Sequence, residues 1–229
     1  MRSRGFGRAV GALLLAIVLA APAARALDDD AQGWLLATVR GPIAGKWRLY
    51  LETQPRVGGD GMRQFLFRPA LGYQMTKHWS LWQGYGWTPS FEPDRKESRI
   101  FQQSTCDIPH GDWMLPFTLT NRTRLEERFI EDTHGASVRL RHMIRAVYPL
   151  TTSERLGLVV FDEPFVTFNS IERGPRSGFD QNRAFVGITD QLTNHIRIEI
   201  GYLNQFINAR GGADNRMNHI GLLWLDLTL

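Results

Sequence analysis

The chain has 229 residues, of which 43% are hydrophobic and 22% charged, with one cysteine and a formal net charge of +4. A single cysteine excludes an intrachain disulfide framework. The basic surplus sits in Arg2, Arg4, Arg8 and Arg25, so loss of residues 1–26 leaves 23 basic against 23 acidic residues and removes the main support for nucleic-acid binding.

Taken in order, MRSRGFGR is a basic n-region, AVGALLLAIVLAAPA an apolar h-region, and Ala24-Arg25-Ala26 a small-x-small cleavage site. Residues 1–26 are therefore predicted to be a cleaved signal peptide, and residues 27–229 the mature domain. The h-region is short for a spanning helix of roughly 20 residues, and no later segment is long and apolar enough for one. AQGWLLATVR (31–40) is strand-like but spoils the parity of the later strands. It is either an extension in the periplasm or lumen, or part of a larger barrel.

From Gly45 onward, segments of about ten residues or more alternate with period 2, the period of a β-strand. GKWRLYLETQPR sets Trp47, Leu49 and Leu51 against Arg48, Tyr50, Glu52, Gln54 and Arg56. RQFLFRPALGYQM sets Phe65, Phe67, Leu71 and Tyr73 against Gln64, Arg68 and Gln74. Weaker alternation appears at 79–88 and 97–105. In NRTRLEERF, Arg122, Arg124, Glu126 and Arg128 oppose Thr123, Leu125 and Phe129, and in VRLRHMIRAVY, Arg139, Arg141 and Arg145 oppose Leu140, Ile144 and Tyr148. Alternation weakens at 156–166 and 181–189. HIRIEIGYLNQF then sets Ile196, Ile198, Ile200 and Tyr202 against Arg197, Glu199 and Gln205, and Leu223, Leu225, Leu227 and Leu229 share the last apolar face.

A soluble sandwich also alternates, but its polar face meets water and is rich in Lys, Thr, Ser and Glu. Here the polar face is rich in Arg, Gln and Glu, and the apolar face is large and aromatic. That pattern predicts an all-β fold, a transmembrane antiparallel β-barrel of about ten to twelve strands, with apolar residues toward lipid and polar ones toward the lumen. The expected location is the outer membrane of a Gram-negative bacterium. Connections at 41–46, 76–78, 107–112, 150–155 and 190–195 read as short periplasmic turns, and those at 57–62, 89–96, 130–136, 169–180 and 208–216 as longer outer loops. Trp47, Tyr73, Trp79 and Tyr148 flank the short turns as an aromatic girdle.

The ordered series FRPALGY (67–73), SLWQGYGWTP (80–89), ESRIFQQ (97–103), NRTRLEERF (121–129), RLRHM (139–143), DEPF (162–165), FDQNRAFVGI (179–188) and GYLNQF (201–206) resembles an uncharacterised bacterial family, the domain of unknown function numbered 2490. The resemblance runs across nearly all of the mature chain. It implies an outer-membrane β-barrel and brings no activity or catalytic residues. The C-terminal Leu229 departs from the terminal aromatic typical of outer-membrane barrels.

Strand parity sends Arg48, Arg56, Arg68, Arg99, Arg122, Arg124, Arg128, Arg139, Arg141, Arg145, Arg183 and Arg197 inward with Glu52, Glu97, Glu126, Glu163, Glu199 and Asp226. The arginines outnumber the acids two to one. Each guanidinium needs a carboxylate, a carbonyl, water or a bound anion. An Arg–Glu plug is one outcome, and binding of anionic solute or lipid groups by the surplus is the other. Arg56, Arg99, Arg128, Arg139 and Arg183 are expected to converge at the outer end, near Glu97 and Glu163.

The competing reading is an outer-membrane lipid-modifying hydrolase, resting on His78-Trp79-Ser80, whose H-x-S spacing sets both side chains on one strand face. Two residues beside a turn form a weak motif. His110, His134, His142, His195 and His219 lack metal-site spacing, so no metal or cofactor is expected. Gly84 and Gly86 open no helix and read as room for curvature or a bulky neighbour. The expected partners are outer-membrane lipids including lipopolysaccharide, with barrel-assembly machinery and periplasmic chaperones during biogenesis.

Overall fold

A computed structural model describes residues 27–209 and 214–229; the expected signal peptide lies outside them. The alternating segments form eleven strands: β1 Leu27–Ala44, β2 Trp47–Gly58, β3 Gly61–Gln74, β4 Trp79–Phe91, β5 Asp94–Ile108, β6 Thr118–Ile130, β7 Ser137–Pro149, β8 Leu156–Thr167, β9 Gly178–Gln191, β10 Ile196–Ile207 and β11 Asn215–Thr228. They close into one barrel in which every pair is antiparallel except β1 and β11.

That exception corrects the expected parity. Segment 31–40 is the middle of β1, which pairs with β2 (Thr38↔Glu52) and with β11 (Leu35↔Leu223). In an up-and-down meander an odd strand number leaves the first and last strands pointing the same way, so closure is parallel. The seam is fully laddered, from Leu27↔Asn215 to Arg40↔Thr228. The two ends of the described chain consequently lie at opposite rims, the N-terminal rim (Leu27) and the C-terminal rim (Leu229).

Connection length does not distinguish these rims, contrary to expectation. At the N-terminal rim, residues 59–60 and 92–93 are tight hairpins, while at the C-terminal rim residues 109–117 form a long connection containing a 3-10 turn, Asp112–Met114. The polar run Asp94-Arg95-Lys96 reads as loop but continues the ladder through Phe91↔Asp94 and Ser90↔Arg95. Backbone pairing is indifferent to side-chain polarity at a solvated rim.

The interior is not polar throughout. Trp34, Met143, Val159, Phe161, Phe185, Leu203, Ile220 and Leu222 form a buried apolar cluster inside the barrel. In β8 and β11 both faces are largely apolar: the parity of Asp226 places Leu222 inward and Leu223, 41% exposed, on the outer wall, but does not show that this part of the interior is an apolar core. Buried charged residues come from β2, β3, β5–β8, β10 and β11, so they share several strands with the apolar cluster.

Gly84 shows how tightly the interior is filled. A Cβ there would collide with the Phe101 ring, whereas at Gly86 the nearest atom would be 3.5 Å away. Gly84→Ala is expected to destabilise the barrel by about 1–3 kcal/mol through overpacking, and Gly86→Ala by about 0.5 kcal/mol or less. Denaturant unfolding midpoints of the two variants test this contrast.

Candidate functional site: a charged septum and two end cavities

Every strand contributes interior positions at alternate residues, so the arginines of β6 and β7 stand in facing rows. The register pairs Glu126 with Arg139, and Arg124 with Arg141. Glu126, fully buried, accepts from Arg139 Nη2 at 2.6 Å and Nε at 3.1 Å, and from Arg141 Nη1 at 3.0 Å. Arg141 also grips Glu163 in a bidentate pair at 2.9 Å, and Glu163 takes a further bond from Arg122 at 2.8 Å. Glu52 binds Arg68 at 2.5 Å and accepts from the Tyr50 hydroxyl at 2.6 Å. Glu97 serves Arg99 at 2.7 Å and Arg128 at 2.6 Å. Arg145 pairs with Glu199, and Arg40 with Asp226 at 2.7 Å. A few acids therefore hold many arginines, because each carboxylate has several lone-pair sites and each guanidinium five donors.

Aromatic rings complete the packing. The Arg141 and Arg139 guanidinium groups lie 4.5 and 5.1 Å from the Phe165 ring centre, and Arg124 lies 4.3 Å from that of Phe101. Together with the apolar cluster, to which the same strands β7 and β8 contribute Met143, Val159 and Phe161, these groups form a septum across the barrel. Two cavities flank it and share no lining residue, and neither is lined by Glu126, Arg141, Glu163, Phe165 or Phe185.

The N-terminal-rim cavity, about 260 Å³, is lined by Arg56, Arg99, Arg128, Arg139 and Arg183, with Glu97 and Glu92 among the acids. Glu163 lies deeper, in the septum. Two of these arginines have no carboxylate. Arg56 donates only to the neutral amides of Gln54 and Gln64, at 2.6 and 2.7 Å. Arg183 has no hydrogen-bond or ion-pair partner among the described residues; its guanidinium stacks 5.0 Å from the Trp34 ring centre, which Arg56 also covers at 3.7 Å. Two like charges thus share one indole. Cation–π contact offsets part of their desolvation, up to about 2 kcal/mol each, while the nearby carboxylates Glu52, Glu97 and Glu163 are each bonded to other arginines.

The aromatic residues expected as a girdle stand on the outer wall near the C-terminal rim. Trp47 and Trp79 are each 47% exposed, Tyr148 is 52% exposed, and Tyr73 meets Trp47 edge-on at 5.1 Å. Sequence reasoning missed a second band near the N-terminal rim, where Phe65 meets Trp87 and Phe179 stacks on Phe206. Its signal was present in the outward parity of β3, β4, β9 and β10.

The H-x-S pair is not assembled. His78 Nδ1 lies 2.9 Å from the Asp107 carbonyl and its ring contacts Trp113, while Ser80 Oγ accepts from Trp82 Nε1 inside the barrel. Nearby, the hydrogen bond from Lys77 holds the Asp112 carboxyl below its usual range. His142 stands on the outer wall, 2.9 Å from Thr123 Oγ1. Among the described residues no group of His, Cys, Asp and Glu is placed to hold a metal ion.

A family model described as "Protein of unknown function (DUF2490)" matches residues 31–218. An uncharacterized protein of Methylorubrum extorquens is 32% identical over 218 residues, which cover 91% of this chain and 93% of that protein. The match takes in the septum, both rows of arginines and most of β1.

Proposed function

The chain belongs to the DUF2490 family of proteins of unknown function, and we propose that it is an integral outer-membrane β-barrel, sealed at its middle, that holds anionic groups at its N-terminal rim. The outer wall supports the membrane reading: Leu71, Leu81, Ile100, Ile144, Ile200 and Leu223 are large, apolar and exposed, the reverse of a soluble barrel. Aromatic bands near both rims match the interfacial girdles of such barrels. The segment 1–26 supplies export, with cleavage after Ala26, and the outer wall contacts lipids including lipopolysaccharide. Barrel-assembly machinery and periplasmic chaperones would deliver it.

The observation that carries the anion-binding role is the pair Arg56 and Arg183, two inward guanidinium groups on one cavity that form no ion pair among the described residues. A phosphate or carboxylate bridging them would supply the missing counter-charge through charge-assisted bonds. Calorimetric titration of the detergent-folded protein with inorganic phosphate is expected to show saturable binding. The double change Arg56→Gln, Arg183→Gln should weaken it at least tenfold. Arg155→Gln, which removes an exposed pair with Asp190 at the other rim, should leave it unchanged. Equal phosphate affinity in all three proteins would sink the role.

A further inference from the structure

The cavity at the C-terminal rim has a different chemistry from its counterpart. It measures about 370 Å³, within the range of small-molecule sites, roughly 300–1,000 Å³. Its wall combines Tyr50, Trp82, Phe101 and Trp224 with a set of neutral hydroxyls and with arginines that outnumber the acids. In the N-terminal cavity, by contrast, aromatic lining is confined to Trp34, which is 3% exposed and covered by Arg56 and Arg183.

The polar ends of the aromatic side chains are already committed to the wall. Trp82 Nε1 donates to Ser80 Oγ at 2.9 Å, Trp224 Nε1 to Thr38 Oγ1 at 2.9 Å, and the Tyr50 hydroxyl to Glu52 at 2.6 Å. What these rings offer the cavity is therefore carbon surface. Tyr50 and Trp82 meet edge-to-face at 6.1 Å, which fixes both planes. The hydroxyls of Thr118 and Thr120 and the Gln103 amide supply short polar contacts on the same wall.

The charge is equally specific. Arg145 is matched by Glu199 and Arg40 by Asp226. Arg124 donates to the neutral Gln103 amide at 2.5 and 2.8 Å with Glu126 3.8 Å away, whereas Arg197 donates to Gln191, at 2.9 Å. Arg197 is partly exposed and stands near the start of β10, at the mouth, with donors left over. The cavity thus presents ring faces, hydroxyl and amide groups, and at its opening a guanidinium with spare donors, since Asp226 across the ladder is engaged by Arg40 and Thr38.

We propose that this cavity binds a hydroxyl-rich ring bearing one anionic group, a sugar acid or sugar phosphate, entering from the C-terminal rim. The ring's C–H face packs on the aromatic surface, its hydroxyls exchange water for the threonine and glutamine groups, and its carboxylate or phosphate meets Arg197. A bare anion would leave the aromatic wall unused, and a neutral sugar would leave the spare donors of Arg197 without a charged acceptor of their own. This site does not depend on the anion site at the other rim, from which the septum separates it.

Titration of the detergent-folded protein with glucuronate, glucose 6-phosphate, glucose and inorganic phosphate tests the assignment. Glucuronate or glucose 6-phosphate should bind at least tenfold more tightly than glucose and should compete poorly with phosphate. Whichever of the two binds better identifies the anionic group. Arg197→Gln should reduce the preference for the charged sugar over glucose to less than threefold. Thr120→Val should weaken both sugars together. Because Arg197 bonds only a neutral amide and is partly exposed, its replacement should leave unfolding midpoints close to wild type. The Arg56→Gln, Arg183→Gln protein should bind the charged sugars normally. Loss of sugar binding in that double variant would put the ligand at the wrong end. In the same double variant, which lacks the other anion site, equal affinity for phosphate and glucuronate would reduce the site to simple anion attraction and overturn the proposal, as would no sugar binding up to millimolar concentration.

Discussion

Glu126→Gln is expected to destabilise the barrel by about 3–5 kcal/mol, the range for breaking a buried ion pair by removing one partner. Glu126 is fully buried and takes bonds from Arg139 and Arg141, with Arg124 Nη1 3.8 Å away. The amide keeps the shape but removes the charge and turns one acceptor into a donor aimed at guanidinium groups that only donate. The neighbours cannot compensate fully: Arg141 keeps Glu163, and Arg139 keeps Asp180 at 3.0 Å, whose side chain is 25% exposed. Adding Arg139→Met should recover part of the loss, because the pair interacts directly and is not additive. Unfolding free energies of the two single variants and the double variant, in one detergent, measure this coupling. A double loss equal to the sum of the singles would show that Glu126 and Arg139 act independently.

Ile200→Arg separates a membrane barrel from a soluble one. Ile200 is 62% exposed near the middle of β10, flanked across the ladder by Ile188 and Leu223. Facing hydrocarbon, an arginine there should cost roughly 2–4 kcal/mol. Facing water, the same change should stay within about 0.5 kcal/mol, as for an ordinary surface site. Asn194→Arg, at an exposed position in the connection between β9 and β10, is the control. Reversible unfolding from liposomes is expected to show the full penalty at position 200 and little at 194. Equal small effects at both positions would mean that no bilayer surrounds the wall.

Much of the barrel was legible in the sequence because side-chain direction in a strand is local. The inward turn of Arg122, Arg124, Glu126 and Arg128 comes from their spacing alone, since successive residues point to opposite faces whatever lies across the sheet. The same rule placed Glu163 and Arg183 inside and Trp47 and Trp79 outside. It gave direction but not environment in β11, where the inward parity of Asp226 holds yet Ile220 and Leu222 on that face join an apolar core. It failed for β1, whose strand character was visible but whose partner was not.

Only the closed structure decided which charges meet. Arg145 and Glu199 are 54 positions apart, and Arg40 and Asp226 are 186 apart. Their contact depends on strand number and stagger around the barrel, quantities that no single strand encodes. The odd count fixes the parallel seam and sends the two ends of the described chain to opposite rims. The same closure gathers Glu126, Glu163, their arginines and the apolar cluster so that the middle is filled, and leaves Arg56, Arg183 and Arg197 in the end cavities without an ion pair among the described residues. The sequence determined which side chains face inward; the stagger of the closed sheet determined which of them find a partner of opposite charge.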